Sequence, residues 1–406
     1  MKGNLITNTQ FRNITTFEVD AGWRQWMLLQ VELDNGLCGI SEFTDSNGSI
    51  NSLLAAIGDI KSHLIGIEFT SVDQVTSALR RRYRQSLPGI MWKAISAVEN
   101  ALWDLLSKVN ETPIHEYFHK DFTPENKFAS YWSHCPTTRV RASEFLSSKP
   151  VRTNQDLIEL GSLIRDNKFT AIKTNLVSLT PTNKVFMPGF NKNFSLTQEQ
   201  IPKDYEFELS RILDLISQNH SSLEFIIDFN YNLTFNEFTK IQDILLSKKI
   251  KYLEIDFDNY EISELVLNHS ELPICTGENI LGLWNYMPII NDNRVQIISI
   301  DLLWNGLSES FLIAKEAIKK GKRIAIHNYY GGLATSMALT FLSLLPIENL
   351  ELVEFDFDDV PWRDEIVSNP VTFKDGFLST NFGLGWSNEL NLQAIDEYSN
   401  QNRRKI

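Results

Sequence analysis

Six residues that can bind metals or transfer protons recur at near-constant spacing in the second half of the sequence. They lie at or near the ends of short apolar runs, 23 to 27 residues apart: Asp228, Glu254, Glu278, Asp301, His327 and Glu354. This spacing fits one strand and one helix per step. Because the carboxyl ends of parallel barrel strands meet at one rim, we expect all six side chains at that rim, where barrel enzymes keep their chemistry.

Three carboxylates from successive runs, Asp228, Glu254 and Glu278, should converge at this rim. Adjacent carboxylates repel one another strongly unless a cation neutralises them. A set of oxygen ligands without His or Cys favours Mg²⁺. We therefore predict one Mg²⁺ per active site, held by these three residues. The alternative is that they are ordinary solvated acids at strand ends.

A second pair, Asp301 and His327, should lie on neighbouring strands. A carboxylate beside an imidazole fixes its tautomer and raises its basicity, so the pair is a candidate general acid or base. Lys173 should face this dyad across the barrel mouth. Near a dication the pKa of Lys173 would be lowered, so that it could act as a base or polarise a substrate carboxylate. The alternative for Lys173 is a salt bridge to a metal-binding acid.

The stretch AIKTNLV places Lys173 and Asn175 two residues apart. Side chains two apart on a strand point to the same face. Lys173 is a potential base, whereas the amide of Asn175 can only form hydrogen bonds. This side of the site therefore offers one base and not two.

Eight strand-like runs alternate with amphipathic helical stretches from about residue 127 onward, which is the pattern of a (β/α)8 barrel. The runs are 128–132, 170–175, 223–228, 251–255, 273–276, 297–301, 323–327 and 351–355. One linker, residues 178–202, is long and polar, and we predict that it is a loop inserted over one end of the barrel.

The first part of the sequence has a different, α+β pattern. Strand-like runs surround the turn signal Asp34-Asn35-Gly36, and helical stretches follow near 50–65, 70–84 and 91–108. The last of these carries a core stripe of Ile95, Val98, Leu102, Leu105 and Leu106. We predict a capping domain at 1–125, a barrel at 126–360, and a C-terminal segment at 361–406 that returns to the cap.

Composition limits the class of protein. Of the 406 residues 43% are hydrophobic and 22% are charged, and the net charge is -13, so we expect a soluble enzyme with no nucleic-acid or membrane partner. Three widely spaced cysteines indicate a reducing compartment. With no apolar segment of signal-peptide or membrane-span length, we expect a cytoplasmic location. Apolar surface helices would permit a homo-oligomer.

The order and spacing of these motifs resemble the enolase superfamily, specifically the mandelate racemase subgroup. The motifs are SAVENALWDLLSK, IIDFN with Asp228 and Asn230, LEID with Glu254, TGENILG with Glu278, IDLLWNG with Asp301, AIHNYYGG with His327, LVEF with Glu354, and FGLGW. The resemblance implies an α+β cap over a modified (β/α)7β barrel. It also implies a Mg²⁺-dependent enzyme that removes the α-proton of a carboxylate substrate, with Glu354 hydrogen-bonding the substrate carboxylate.

Two positions depart from the family pattern. Members often carry Lys-x-Lys where Asn175 stands here, and an acid followed by Pro where Ile255 and Asp256 follow Glu254. Losing one base favours dehydration over two-base racemisation, with Asn175 as a hydrogen-bond partner for a substrate hydroxyl. We therefore expect a sugar acid dehydratase. The alternatives are a racemase, an epimerase or a lactone-forming cycloisomerase, and a binding protein on the same fold.

Substrate recognition rests on weaker signals. Ser133 and His134 resemble a substrate-contacting pair of the subgroup, and the cap loops at 22–24 and 44–47 should face the barrel mouth. These loops are polar, which suits an aldonic or aldaric acid better than an aromatic substrate. We expect Arg24 to bind a distal carboxylate, or else to be an ordinary surface arginine.

Overall fold

In the computed structural model of this chain, the described residues are 9–45, 48–119, 124–179, 184–186, 205–230, 234–256 and 260–401. Within these ranges, the three cysteines, Cys38, Cys135 and Cys275, carry free thiols. No described helix combines the length and the apolar character that crossing a membrane requires.

The N-terminal part is an antiparallel three-stranded sheet packed against helices, as its pattern predicts. A turn at Asp34–Gly36 joins the second and third strands, and Gly36 adopts a φ of 85° there. The predicted stripe on the third helix is buried. The elements are β1 (Phe11–Asp20), β2 (Gln25–Leu33), β3 (Cys38–Phe43), α1 (Ile50–Leu64), α2 (Val72–Arg82), α3 (Ile90–Val109) and α4 (Ile114–Phe118).

All eight predicted runs form parallel strands, which close into a barrel. Closure is completed where β13 pairs with β4 and where Ile324 forms a bridge with Leu350. The strands are β4 (Lys127–Trp132), β5 (Ala171–Thr174), β8 (Glu224–Asn230), β9 (Ile250–Ile255), β10 (Ile274–Thr276), β11 (Ile297–Asp301), β12 (Arg323–His327) and β13 (Val353–Phe355). Between β5 and β8 the chain forms a separate hairpin, β6 and β7.

Seven helices connect these strands on the outside, and the last strand has no such helix after it in the described part of the chain. They are α6 (Asn154–Asp166), α7 (Tyr205–Ser217), α8 (Phe235–Leu245), α9 (Tyr260–His269), α10 (Leu283–Asn291), α12 (Leu307–Lys319) and α13 (Gly332–Leu342). Two short helices, α5 (Thr137–Arg141) and α11 (Leu302–Asn305), lie in loops. The barrel is therefore of the (β/α)7β type.

The predicted insertion at 178–202 lies largely outside the described residues. Its described residues include the end of β6 (Leu176–Ser178) and β7 (Lys184–Phe186), which pair as an antiparallel hairpin. Whether the rest covers the barrel end stays a prediction.

Polar side chains of α3 join the cap to the barrel. Asn100 accepts a hydrogen bond from Leu307 N at 3.0 Å and donates one to Leu302 O at 3.2 Å. Glu99 accepts one from Ser308 N at 2.8 Å. These acceptors satisfy backbone N–H groups at the start of α12, which have no partner within that helix.

The C-terminal segment contacts both parts of the protein. It forms β14 (Thr372–Lys374), β15 (Phe377–Ser379) and α14 (Leu392–Gln401). Strand β15 pairs with barrel strand β4, whereas α14 packs against β1 of the cap. The predicted boundaries at 125 and 360 stay predictions, but the segment does more than return to the cap.

Candidate active site

A layer of polar side chains lies directly above an apolar plug inside the barrel. The plug contains Tyr131, Ala171, Ile226, Tyr252 and Ala325, each from a different strand. Because strand side chains alternate, the residue two positions further along each strand also faces inward. Those residues are Ser133, Lys173, Asp228, Glu254 and His327. The alternation of each strand therefore places the candidate site at the predicted rim.

Asp301 and His327 form the expected pair. They are in register on β11 and β12, and His327 Nδ1 lies 2.8 Å from Asp301 Oδ2. The other carboxylate oxygen, Asp301 Oδ1, accepts a hydrogen bond from Trp304 N at 2.8 Å. Burial alone would lower the pKa of His327, but the charges of Glu278 and Asp301 raise it to about 10.

Lys173 is buried among carboxylates. Its Nζ lies 2.6 Å from Glu354 Oε1, 3.1 Å from Glu254 Oε2 and 3.9 Å from Asp228 Oδ2. Burial alone would lower the pKa of Lys173, but these acids raise it well above its ordinary value. The protein's own charges therefore shift this pKa in the direction opposite to the one expected beside a dication. They keep Lys173 a cation.

Asp228, Glu254 and Glu278 crowd together with a fourth acid, Asp256. Burial and then mutual repulsion raise the pKa of Asp228 to about 6, of Glu254 to about 7 and of Glu278 to about 8, although Lys173 and His327 act against this rise. Burial also raises the pKa of Asp256 to about 6. This cluster holds more negative charge than the neighbouring cations balance.

Such a cluster has the chemistry of a Mg²⁺ site. Among the described residues, no three His, Cys, Asp or Glu side chains are already arranged around a single metal position. The donors nevertheless fit, because they are hard oxygen ligands whose raised pKa values reflect an excess of negative charge. Asp228, Glu254 and Glu278 are the residues that would hold the ion.

Asn175 is locked in a single orientation beside this cluster. It is fully buried, and its Nδ2 donates to Asp228 Oδ2 at 3.0 Å and to Asn230 Oδ1 at 3.3 Å. Both partners are acceptors, so the Nδ2 and Oδ1 positions of the amide are fixed. Asn175 Oδ1 is buried and has no hydrogen-bond partner among the described residues. A buried acceptor of this kind is a candidate position for a hydrogen bond from a ligand.

Ser133 and His134 lie behind Glu354. Ser133 is fully buried, and its Oγ donates to Glu354 Oε1 at 2.6 Å and lies 2.6 Å from His134 Nδ1. Asn328 N donates to the other carboxylate oxygen, Glu354 Oε2, at 2.8 Å. The Ser133 hydroxyl is therefore buried and hydrogen-bonded within the protein, and its direct contact with substrate stays a prediction. Glu354 itself is shared by Lys173, Ser133 and Asn328, and its bond to a substrate carboxylate stays a prediction.

His134 is a buried, neutral imidazole. It has a φ of 52°, and its ring lies 3.9 Å from that of Tyr329. Burial and then the charge of Lys173 lower the pKa of His134. Its contact with substrate stays a prediction.

Arg24 is largely buried and paired with two acids, so it is not an ordinary surface arginine. Its guanidinium forms ion pairs with Asp356 at 2.9 Å and Asp359 at 2.6 Å and lies over the ring of Tyr329. Two carboxylates of the protein already pair with it, and its expected pairing with a distal substrate carboxylate stays a prediction. Arg24 anchors the cap loop to the barrel.

Both predicted cap loops reach the barrel mouth. Trp23 Nε1 donates to Tyr329 Oη at 3.2 Å. Thr44 O accepts a hydrogen bond from Trp304 Nε1 at 3.0 Å, and the Trp304 ring lies 6.0 Å from the ring of His327. Ser46 and Asn47 lie outside the described residues.

Sequence reasoning missed several residues of the site. Tyr330 contacts the dyad, and Lys93 of α3 lies 3.5 Å from the Trp304 ring centroid while pairing with Asp45 at 2.6 Å. The signal for Tyr330 was its place in AIHNYYGG, three residues after the catalytic candidate. No local signal marks Lys93, which lies on a helix of the other domain.

Residues 162–394 match the model of the enolase C-terminal domain-like family. Residues 14–118 match the N-terminal domain of mandelate racemase and muconate lactonizing enzyme. The chain belongs to the mandelate racemase/muconate lactonizing enzyme family of the enolase superfamily. Both the resemblance and the fold predicted from the motifs are confirmed.

Relatives of this chain are named for several different reactions. The chain is 21% identical to D-xylonate dehydratase of Haloferax volcanii, over 97% of this chain and 90% of that protein. It is 22% identical to D-galactarolactone cycloisomerase of Agrobacterium fabrum, over 92% and 91%. A proposed L-alanine-DL-glutamate epimerase from Burkholderia xenovorans, solved with magnesium and fumarate, is 27% identical with a TM-score of 0.88 and covers 96% of both chains.

Proposed function

We propose that this protein is a Mg²⁺-dependent hydro-lyase that dehydrates an aldonic or aldaric sugar acid to a 2-keto-3-deoxy acid. The observation that carries this proposal is the asymmetry of the site. One side has a His–Asp pair, and the other has Lys173 beside an amide locked by Asp228 and Asn230. Dehydratases among the relatives support the same reaction class.

The chemistry requires two proton transfers. The α C–H bond breaks, and its proton goes to Nε2 of a neutral His327. The C–O bond of the β-hydroxyl then breaks, and Nε2–H returns the proton to the leaving oxygen, forming water. The resulting enol tautomerises to the 2-keto acid. One general acid–base group suffices if elimination is syn.

The other residues bind and orient. The ammonium of Lys173 would face the substrate carboxylate, and Asn175 Oδ1 would accept a hydrogen bond from a substrate hydroxyl. A bound Mg²⁺ would neutralise the acids around Glu278, lower the pKa of His327 and balance the charge that develops on the substrate carboxylate. Asp301 keeps the imidazole in one tautomer throughout.

A second candidate function rests on the place of Lys173. Strands β5 and β12 are three positions apart around the barrel, so Lys173 and His327 approach the substrate from different sides. If Lys173 served as a second base, the same site would epimerise the α-carbon. Cycloisomerase and epimerase relatives exist in the family.

A substrate screen distinguishes these reactions. The purified protein with Mg²⁺ is incubated with a panel of aldonic and aldaric acids, and 2-keto acid formation is measured. Dehydration predicts a hit whose configuration at C2 and C3 identifies the substrate. If no acid of the panel yields a 2-keto acid but α-protons exchange in D₂O, the reaction would be epimerisation and not dehydration.

The metal is tested separately. We expect added Mg²⁺ to raise the melting temperature of the wild type, because a ligand that binds only the folded state stabilises it. Glu278→Gln should abolish that shift, whereas Glu144→Gln, at an exposed position, should retain it. No shift in the wild type would contradict a Mg²⁺ site.

A further inference from the structure

The hydroxyl of Tyr330 lies inside the His–Asp pair. Tyr330 Oη donates to Asp301 Oδ2 and lies 3.0 Å from His327 Nδ1. The Tyr330 ring meets the imidazole edge-on, at 90° and 5.2 Å between centroids. Tyr330 and Asp301 are both buried, with 5% and 0% of their surface exposed. The contact is therefore shielded from water.

These bonds determine which nitrogen of His327 faces the substrate. Asp301 Oδ1 is occupied by Trp304 N, so His327 and Tyr330 share Asp301 Oδ2. Since the Tyr330 hydroxyl uses its proton on Asp301, only its lone pair is left for His327. Nδ1 then faces two acceptors and must carry a proton. The other nitrogen, Nε2, points toward Glu278, at 3.7 Å from Oε2.

The aromatic neighbours restrict the ring further. Trp304 lies on one side of the imidazole at 6.0 Å and an interplanar angle of 46°, and Tyr330 meets it perpendicularly. Without the hydroxyl, Asp301 would still accept from Nδ1. However, the second acceptor would be lost, and the carboxylate oxygen would need another donor. Proton transfer is sensitive to such small changes of alignment.

We propose that Tyr330 is a positioning residue that fixes His327 with Nδ1 protonated and Nε2 directed at the substrate. The kinetic part of this proposal rests on the proposed function, in which His327 transfers protons. The geometric part does not, because the hydrogen bonds exist without substrate. Tyr330 Oη is thus a second acceptor for the His327 Nδ1–H group, in addition to Asp301.

The test uses Tyr330→Phe in the full-length, Mg²⁺-supplied protein, with two readouts. The first is the downfield NMR resonance of His327 Nδ1–H in ¹⁵N-histidine-labelled protein without substrate, assigned by its absence in His327→Asn. We expect solvent exchange of this proton to accelerate at least tenfold. The second is turnover of the substrate found by the panel. We expect kcat to fall about 10- to 100-fold with KM unchanged.

Two further variants calibrate the result. Asp301→Asn replaces the shared carboxylate by an amide, and its changes in Nδ1–H exchange and kcat give the largest effect expected for this hydrogen-bond network. Tyr117→Phe removes a tyrosine hydroxyl bonded to Asn110 in the cap, at 3.0 Å, and should leave both readouts at wild-type values. An unchanged Nδ1–H resonance in Tyr330→Phe would overturn the proposal, and so would a loss confined to melting temperature or KM. If the wild type turns over no substrate, the proposed function fails while the NMR result still decides the role of Tyr330.

Discussion

At the scale of single residues, the site depends on hydrogen-bonding capacity as much as on charge. His327 has a carboxylate on one nitrogen and faces the acid cluster with the other. Asn175 occupies a position where a second base would allow two-sided chemistry, but both of its amide protons are directed at Asp228 and Asn230. In the proposed reaction, these residue types assign proton transfer to one side of the substrate and recognition to the other.

Replacing His327 should separate catalysis from metal binding. In His327→Asn we expect kcat to fall by about 100- to 10,000-fold, the usual contribution of a general acid–base group. The carboxylates stay in place, so the Mg²⁺-dependent rise in melting temperature should persist. His63→Asn, at an exposed cap position, is the control. A fully active His327→Asn would refute the role of the dyad.

Replacing Asn175 tests whether the reaction uses its side-chain amide. Asn175→Lys would place a second ammonium beside Lys173 and against Asp228, where it competes with Mg²⁺. We expect no gain in kcat/KM for this variant. Asn175→Ala, which removes the acceptor without adding charge, should lower kcat/KM by about tenfold, the equivalent of one hydrogen bond. A large gain from Asn175→Lys would show that Asn175 replaces a base the reaction still needs.

At the scale of secondary structure, α3 is a connector between domains. Its apolar stripe packs in the cap, while Glu99 and Asn100 satisfy backbone groups at the start of α12. Helix α12 follows Asp301, the last residue of β11, and the short helix α11 that contains Trp304. The position of the dyad is therefore tied to a helix of the cap.

Truncating this connection should cost stability. Asn100→Ala leaves Leu307 N and Leu302 O buried without their side-chain partner. We expect the free energy of unfolding to fall by roughly 1–3 kcal/mol. Urea denaturation measures this, with Asn219→Ala, at an exposed position, as the control. Equal midpoints for the two variants would contradict the connecting role of Asn100.

The same scale shows what could be predicted from sequence. Strand periodicity was sufficient to place Lys173, Asp228, Glu254 and His327, because each lies two residues beyond an apolar plug residue on its own strand. It could not show that Ser133 is buried behind Glu354 or that Arg24 is neutralised by Asp356 and Asp359. Those contacts join distant parts of the chain and leave no periodic signal. Tyr330 was missed because only the fold directs its hydroxyl back to Asp301.

At the scale of the whole molecule, one buried acid fixes the C-terminal segment to the cap. Asp104 of α3 accepts hydrogen bonds from Ile40 N at 2.9 Å and Trp386 N at 2.7 Å, and pairs with Lys108 at 2.8 Å. A Cβ at Gly385 would lie 1.8 Å from Asp104 Oδ1. Only glycine therefore allows the segment to approach so closely.

The pH dependence of this junction has a definite sign. Burial raises the pKa of Asp104 to about 6, above the value of about 3.9 in an unfolded chain. Between these values the folded protein binds more protons, so the contribution of Asp104 to stability decreases as pH rises. We expect Asp104→Asn to be destabilised relative to wild type, most strongly at pH 4 and less at pH 7. Urea denaturation of both proteins across this range measures it, and a difference that grows with pH would contradict the shift.

Glu42, on cap strand β3, has a consequence for engineering. Its carboxylate accepts hydrogen bonds from Gly331 N at 2.7 Å and Ala334 N at 2.9 Å, so a cap side chain completes the helix that follows the His327 loop. A Cβ at residue 331 would come within 2.8 Å of Glu42 Oε2. Grafting a foreign cap onto this barrel to change specificity would therefore disturb the loop after His327 as well, unless the graft retains an acid at position 42. A chimeric protein should therefore take Glu42 and Gly331 from the same parent.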